Sequence, residues 1–300
     1  MPLKSFAELY SAADQLRAPV CVAAAGGADT TVIQALDLAR RRGWVAPILT
    51  GNPAAIAERA EALEIDLSPF TILEDAEDSA KVAVQQVRDG TAQFLMKGQI
   101  STPALMQAVL HKDTGFRTGK TIGQIVLMEI VRDQKSFLMA DTGITTDPSL
   151  EQKWDLIQAA AEIARKLGEP APKIAIMSAS EKVTPALPDT QAAQQLVELA
   201  QQSQLGDCHV AGPLSFDLAY AVDAGVRKRI AGNVTGHADA MIFPNLLAAN
   251  LTVKAIMYTA DCQFGGILTG TTHPVVFMSR ADSVQTRLNS IAYAIQLRSA

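Results

Sequence analysis

Short apolar runs alternate with longer helical stretches along almost the whole 300-residue chain. PVCVAAA (19–25), VAPILTG (45–51), FTILE (70–74) and AQFLMKG (92–98) each read as a strand. Helix-forming stretches follow them at 29–43, 53–63, 76–90 and 102–110. The strand runs are apolar throughout, which is the pattern of a parallel sheet covered by helices on both faces. Gly43 stops the first of these helices and Pro53 opens the second. From 111 to 150 the pattern changes. TIGQIVLMEIV (121–131) and KSFLMADT (135–142) flank a short polar break, predicting a hairpin or a crossing between domains. After Pro148 the alternation resumes with helices at 149–167, 189 to about 203, 247–260 and 284–297, and strands at 173–179, 208–213, 238–245, 265–270 and 274–279. The fold class expected is α/β: two α/β domains with a cleft between them. Residues 1–138 plus 280–300 form an N-terminal domain with the C-terminal helix returning to it, and 139–279 form the second.

Composition narrows the function classes. Apolar residues are 48% and charged residues 19%, so the chain does not belong with disordered proteins. Twenty-six Lys and Arg against 31 Asp and Glu give a net charge of −5. Nucleic acid and anionic membranes need clustered positive charge and are not expected partners. The three cysteines have no paired spacing, which fits a reducing compartment. The first 16 residues read as an amphipathic helix and not a signal peptide, and no apolar run reaches the ~18 residues of a membrane span. A soluble, cytoplasmic protein is expected.

In open α/β sheets ligands gather at the carboxyl ends of strands. Lys97, Gly98 and, at a helix start, Ser101 and Thr102 follow one strand. Backbone N–H groups and the ammonium there could hold an anion; an ordinary helix cap beside a solvated Lys is the competing reading. Asp141, Thr142 and Gly143 follow another strand, as a hydrogen-bond anchor or as a turn. Gly212-Pro213 and Asp217 follow a third, where a turn and a first-turn acid also explain themselves. Ser279, Arg280 and Asp282 close the last strand: a hydroxyl for an oxyanion, a planar fork for phosphate and a carboxylate for a proton. The competing reading makes Asp282 or Ser283 the N-cap of the terminal helix, and the cluster by itself names no reaction. The four histidines have no metal-ligand spacing, and no metal is expected. Gly26-Gly27 lacks the full dinucleotide fingerprint, and there is neither a P-loop nor a G-x-S-x-G elbow.

Several segments taken together resemble the phosphate acetyl/butyryltransferases. They are MKGQISTPALMQAVL (96–110), GFRTGK (115–120), ADTGITTDPSLEQK (140–153), PKIAIMSASEKVTPALPDT (172–190), AGPLSFDLAYA (211–221), GHADAMIFPNLLAANLTVK (236–254) and MSRADSVQTRLNSIAYA (278–294). The resemblance covers essentially the whole chain, and its details look closer to the short butyryl-type branch. It implies a fold similar to the isocitrate and isopropylmalate dehydrogenases, a homodimer, and reversible acyl transfer between coenzyme A and inorganic phosphate. Coenzyme A is then a substrate, and no metal or redox cofactor is expected. Ser279 and Arg280 carry over as the catalytic Ser-Arg pair. Lys97, Gly98 and Thr102 carry over as the KG-x-x-x-T segment. Arg117, Asp141, Thr142, Gly212, Asp217, Asn250, Lys254 and Gly270 are the further substrate-binding residues it implies.

The chain departs from the family's pattern at named positions. Gln107 stands where members often have Arg, and Gly123-Gln124 where many butyryl-type members have Ser-His. Both changes remove possible phosphate or acyl-phosphate contacts. Thr286 stands where the acetyl-type enzymes have their proton-accepting Asp, with Asp282 as the neighbouring substitute. The thiol of coenzyme A titrates above neutrality, so its attack on an acyl phosphate needs a base, for which Asp282 is the candidate. Ser279 would stabilise the carbonyl oxygen, and Arg280 with Arg117 would grip phosphate. No Ser or Cys has an obvious His base, so direct transfer in a ternary complex is expected. Two other readings stay open: a coenzyme A- or acyl-phosphate-binding protein without turnover, and an NAD(P)-dependent decarboxylating dehydrogenase. No D-x-x-x-D pair follows a strand in the second half to hold the metal that the dehydrogenase needs.

Overall fold

The structure is a computed structural model and describes residues 2–74, 78–203, 205–279 and 281–298. It divides into two compact units: a terminal unit of Phe6–Gly119 and Phe264–Ala300, and a central unit of Met1–Ser5 and Lys120–Gln263. The terminal unit begins with α1 (Phe6–Asp14), β1 (Val20–Ala25), α2 (Thr30–Arg41), β2 (Val45–Gly51), α3 (Pro53–Glu61), β3 (Thr71–Glu74), α4 (Ser79–Arg88), β4 (Phe94–Lys97) and α5 (Thr102–Val109). The central unit holds β5 (Gly123–Ile130), β6 (Lys135–Ala140), α6 (Leu150–Lys166), β7 (Lys173–Met177), α7 (Pro188–Gln202), β8 (His209–Leu214), α8 (Phe216–Tyr220), α9 (Val222–Lys228), β9 (Ala240–Ile242) and α10 (Leu246–Thr259). The chain ends with β10 (Cys262–Thr269), β11 (Val275–Val276) and α11 (Val284–Leu297).

In the terminal unit the strand order is β3-β2-β1-β4-β11-β10. The first five are parallel, and β10 runs antiparallel to β11. In the central unit the order is β5-β6-β9-β7-β8, with β5 antiparallel to β6 and the rest parallel. The sheet pairing is therefore mixed and not parallel throughout, as the apolar runs alone predict. A connection as short as that between β5 and β6 can join only antiparallel neighbours. Pairing also explains why the unit boundaries lie away from 138/139 and 279/280. β6 bonds to β9, which ties the β5–β6 hairpin to the central unit. β11 bonds to β4, which ties 264–279 to the terminal unit. The helices α8 and α9 are short and were not legible in the sequence as separate elements.

Local chemistry fixes the helix starts. Asp29 caps α2, accepting from the Thr31 and Val32 N–H groups, and Asn52 with Pro53 opens α3. Ser149 and Gln152 form a reciprocal capping box on α6. In the terminal core Val22–Ala25 of β1 are fully buried with Ile33 and Leu36 of α2. Trp44 is buried too, and its Nε1–H donates to the Asp14 carboxylate at 2.7 Å, so the indole carries no orphaned donor. In the central core Phe137–Met139 of β6, Ile174 of β7, and Leu156, Ile157 and Ala160 of α6 are all fully buried, with Phe137 packed edge-on against the Phe216 and Tyr220 rings. Among the described residues no helix is long and apolar enough to cross a membrane.

Asp239, just before β9, is buried and accepts from the Lys173 N–H at 2.8 Å, with the Lys173 ammonium at 3.9 Å. Burial pushes its carboxyl above the usual aspartate range, while Lys173 pulls the other way. The folded state thus binds more protons than the unfolded state between the ordinary pKa and the raised one, and stability falls as pH rises through that window. Asp239→Asn keeps an acceptor for Lys173 and should flatten this decline. Denaturant midpoints measured from about pH 4 to neutrality check it.

Candidate active site

Parallel pairing brings the carboxyl ends of β1, β4 and β11 to one edge of the terminal unit. The loops after β1 and β4 meet there backbone to backbone. Gly98 N–H donates to Ala25 O and Gln99 N–H to Gly26 O, both at 2.8 Å. A Cβ on Gly98 would stand 2.2 Å from Gly26 O, and one on Gly26 would stand 2.8 Å from the Gln99 backbone. Close approach is thus the reason for both glycines. The N–H groups of Gly98, Gln99 and Ile100 all donate to carbonyls within these loops, so they do not form the anion cradle expected from sequence. Ser101 caps α5, and Thr102 is exposed beside it. Lys97 is buried at the end of β4, with its Nζ 3.4 Å from Gly98 O.

After β11 the chain presents Ser279, exposed on a fixed backbone. Ser279 N–H donates to Asp282 Oδ2 at 2.6 Å, and Asp282 N–H returns to Ser279 O at 3.2 Å. Asp282 is itself buried. Its carboxylate therefore holds the Ser279 backbone, a role that the sequence did not suggest. Ser283 caps α11 by accepting from Thr286 N–H. Arg280 lies outside the described residues.

Sequence reading missed Arg287, although it stands inside the quoted SRADSVQTRL segment. It is 1% exposed. Its Nε donates to Thr31 Oγ1 at 2.7 Å, Nη1 to Lys97 O at 3.4 Å and Nη2 to Ser279 O at 3.3 Å, and Asp29 lies 3.6 Å away. A lone Arg on a helix gives no sign that it faces inward, because the signal is the set of carbonyls and carboxylates folded around it.

Arg117 and Gly270 are brought together. Arg117 bridges to Thr271, Thr118 Oγ1 donates to Gly270 O at 2.7 Å, and Thr272 N–H donates to Phe116 O at 2.9 Å. Phe116 is buried against the His273 ring, and Arg117 is exposed.

In the central unit the carboxyl ends of β6, β9, β7 and β8 likewise share an edge. Asp141 is buried there, and its carboxylate accepts from the N–H groups of Gln124, Gly143, Ile144 and Thr145 at 2.7–3.1 Å. This carboxylate organises its own loop. Asn250 of α10 donates to Thr142 O at 3.3 Å, so these two predicted residues are neighbours, and Lys254 lies exposed one turn further along. Gly212 is explained by packing, since a Cβ would stand 2.8 Å from Ile176. Asp217 pairs with Lys228 at 2.9 Å and accepts from Ser215 Oγ at 2.5 Å, and these contacts lower its pKa.

The departures at 123 and 124 also have local reasons. A Cβ on Gly123 would stand 2.4 Å from Leu156 Cδ2, so a Ser there would require the Leu156 side chain to shift. Gln124 Oε1 accepts from Thr142 Oγ1 at 3.1 Å and lies where a Gly143 side chain would be. Gln107 is exposed.

A family model described as phosphate acetyl/butaryl transferase matches residues 71–295. The chain is 35% identical over 275 residues to a phosphate butyryltransferase of Clostridium acetobutylicum, covering 91% of each. It is also 35% identical over 272 residues to a phosphate acetyltransferase of Thermotoga maritima, covering 90% of this chain and 92% of that one. Among solved structures it is similar to a branched-chain phosphotransacylase from Enterococcus faecalis V583, with a TM-score of 0.83 and 26% identity over 93% of this chain and 100% of that one.

Gly98→Ala forces the two strand-end loops apart and should cost about 1–3 kcal/mol. Asp141→Ala takes the acceptor from four part-buried N–H groups and should cost about 2–5 kcal/mol, less per donor than the ~1–3 kcal/mol of a fully buried one because water can reach them. Asp141→Asn, which keeps one accepting oxygen, should cost less. Chemical denaturation of the three variants checks the order.

Proposed function

The chain belongs to the phosphate acetyl/butyryl transferase family, and we propose that it moves a short-chain acyl group directly between coenzyme A and inorganic phosphate. The match across residues 71–295, which spans every segment quoted for the resemblance from Lys97 to Asp282, carries this reading. In one direction a phosphate oxygen attacks the thioester carbonyl. A C–O bond forms, the C–S bond breaks, and the departing thiolate takes up a proton. In the other, the thiol gives its proton to a base and attacks the acyl phosphate carbonyl, and phosphate leaves.

Each role falls to a residue of this chain. Ser279 Oγ stabilises the oxygen that gains charge in the tetrahedral species; its exposure and fixed backbone support that role. We assign the thiol proton to Asp282, the carboxylate hydrogen-bonded to Ser279. Arg280, by the resemblance, and Arg117, by its exposure beside Gly270, bind phosphate. Lys97 and Thr102 complete the proposed contacts of the terminal unit. In the central unit Thr142, Asn250 and Lys254 are the proposed substrate contacts. Asp141, Gly98 and Gly212 support loops, and the Asp217 carboxylate is occupied by Ser215 and Lys228. The likeness to the isocitrate and isopropylmalate dehydrogenases, the homodimer and the cytoplasmic location belong to this reading and rest on the resemblance. Equal identity to a butyryl- and an acetyltransferase leaves the acyl group to be measured.

Release of free thiol from acetyl-, propionyl-, butyryl- and isobutyryl-coenzyme A, with and without phosphate, tests the reading. Phosphate-dependent release is expected. A folded protein that binds coenzyme A and releases none would instead be a binding protein. Ser279→Ala should lower turnover by ~10²–10³; near-normal turnover would remove Ser279 from that role. Asp282→Asn keeps an acceptor for the Ser279 N–H but takes no proton. It should therefore stay folded in circular dichroism and lose most thiol-dependent turnover.

A further inference from the structure

The acyl-transfer reading uses Ser279 and Lys97 but leaves unexplained the charge buried behind them. Arg287 lies on α11, where Leu288, Ile291 and Ala292 are buried along with the polar Thr286, Asn289 and Ser290. Taking a guanidinium out of water is costly, and an apolar residue of similar size would pack on this helix without that cost. The guanidinium reaches three separate elements. Nε meets Thr31 in the first turn of α2, Nη1 meets the Lys97 carbonyl at the end of β4, and Nη2 meets the Ser279 carbonyl after β11. Asp29, which caps α2, lies 3.6 Å away. Burial lowers the guanidinium pKa, and the Asp29 and Asp282 charges oppose that.

We propose that Arg287 is a positioning residue for acyl transfer, whose buried guanidinium fixes the Ser279 and Lys97 main chains in one register. This rests on the phosphate acyltransferase reading. Ser279 is then held from both sides: its N–H by Asp282, and its carbonyl by Arg287 and the Asp282 N–H. Its hydroxyl, which accepts from the Ala281 N–H at 3.4 Å, belongs to an exposed residue and is the group offered to a substrate. The same guanidinium holds the Lys97 carbonyl, so neither loop can shift without breaking a charge-assisted hydrogen bond. A planar fork can bind acceptors in three directions at once, whereas the compact ammonium of Lys cannot reproduce that geometry. Arg287 is too deeply buried to touch a substrate, which separates its role from those of Arg117 and Arg280.

The test is phosphate-dependent thiol release by the full chain, as wild type, Arg287→Lys and Arg287→Ala. Thermal melts give the folded fraction of each. Per folded molecule, Arg287→Lys should lower kcat by roughly 10- to 100-fold, the size of effect that a small misplacement of reacting groups produces. The KM for acyl-coenzyme A should stay within about twofold, because no acyl-coenzyme A contact is removed. Arg287→Ala should lose more, and added guanidinium ion should restore several-fold of its turnover. Wild-type kcat per folded molecule in Arg287→Lys, or losses in both variants that follow only the folded fraction with no rescue, would overturn the proposal. Should Arg287→Ala not fold, the kcat against KM split in Arg287→Lys decides alone. A wild type without phosphate-dependent release overturns the transferase reading itself. An active wild type beside unaffected variants overturns only the role of Arg287.

Discussion

In the terminal unit the turn after β1 and the turn after β4 touch backbone to backbone, with no side chain between them. Two N–H to C=O bonds close the contact, and both Gly26 and Gly98 have van der Waals space for hydrogen alone on the facing side. Parallel pairing of β1 with β4 and of β4 with β11 sets the distance from which this contact starts. Everything placed on that edge inherits its position from it: Lys97 at the end of one strand, Ser279 beyond another, and Asp29 and Thr31 beyond the third. A strand-end Lys-Gly pair that looks from sequence like an anion cradle is here first a packing device.

Electrostatics complete what packing begins. A buried guanidinium must find acceptors or lose its reason to stay charged, and Arg287 finds them at the start of α2, the end of β4 and the segment after β11. Asp282 does the same with the Ser279 N–H. These contacts hold main chain on both sides of Ser279, a residue that itself stays exposed. This division of labour is what a preorganised site requires, since donors that must reorganise during reaction lose much of their effect.

The central unit solves a similar problem with a carboxylate. Asp141 gathers four N–H groups from its own loop and from β5, so that the turn after β6 is built around a buried anion. Thr142 and Asn250 then come together on its rim. Gly123 and Gln124, which part from the family's common pattern, belong to this packing: Leu156 fills the space above one, and the other bonds to Thr142. Their identities are set by neighbours in this chain, and a change at either position would have to be matched at Leu156 or Gly143.

How much of this was legible before the fold was known follows from the range of each interaction. Apolar runs, helix caps such as Asp29 and Ser149, the stop at Gly43 and the helix start at Pro53 are local, so the sequence alone determined nearly every strand and long helix. The motif segments were also sufficient to indicate the family, because many weak matches in fixed order are jointly specific. Strand partnership was not local. Whether the 123–140 hairpin and the 264–279 stretch joined one unit or the other depended on β6 meeting β9 and β11 meeting β4, and this moved the expected boundaries. Roles were less legible still. From sequence Asp141 and the Lys97-Gly98 pair fit either a ligand contact or a local turn or cap; here Asp141 and Gly98 bond to backbone, and nothing local marks Arg287 as facing inward. Hydrogen bonds and buried charges are satisfied by whichever groups lie within about 3 Å. For Arg287 those groups are some 8, 190 and 256 positions away along the chain, and only the tertiary structure brings them within reach.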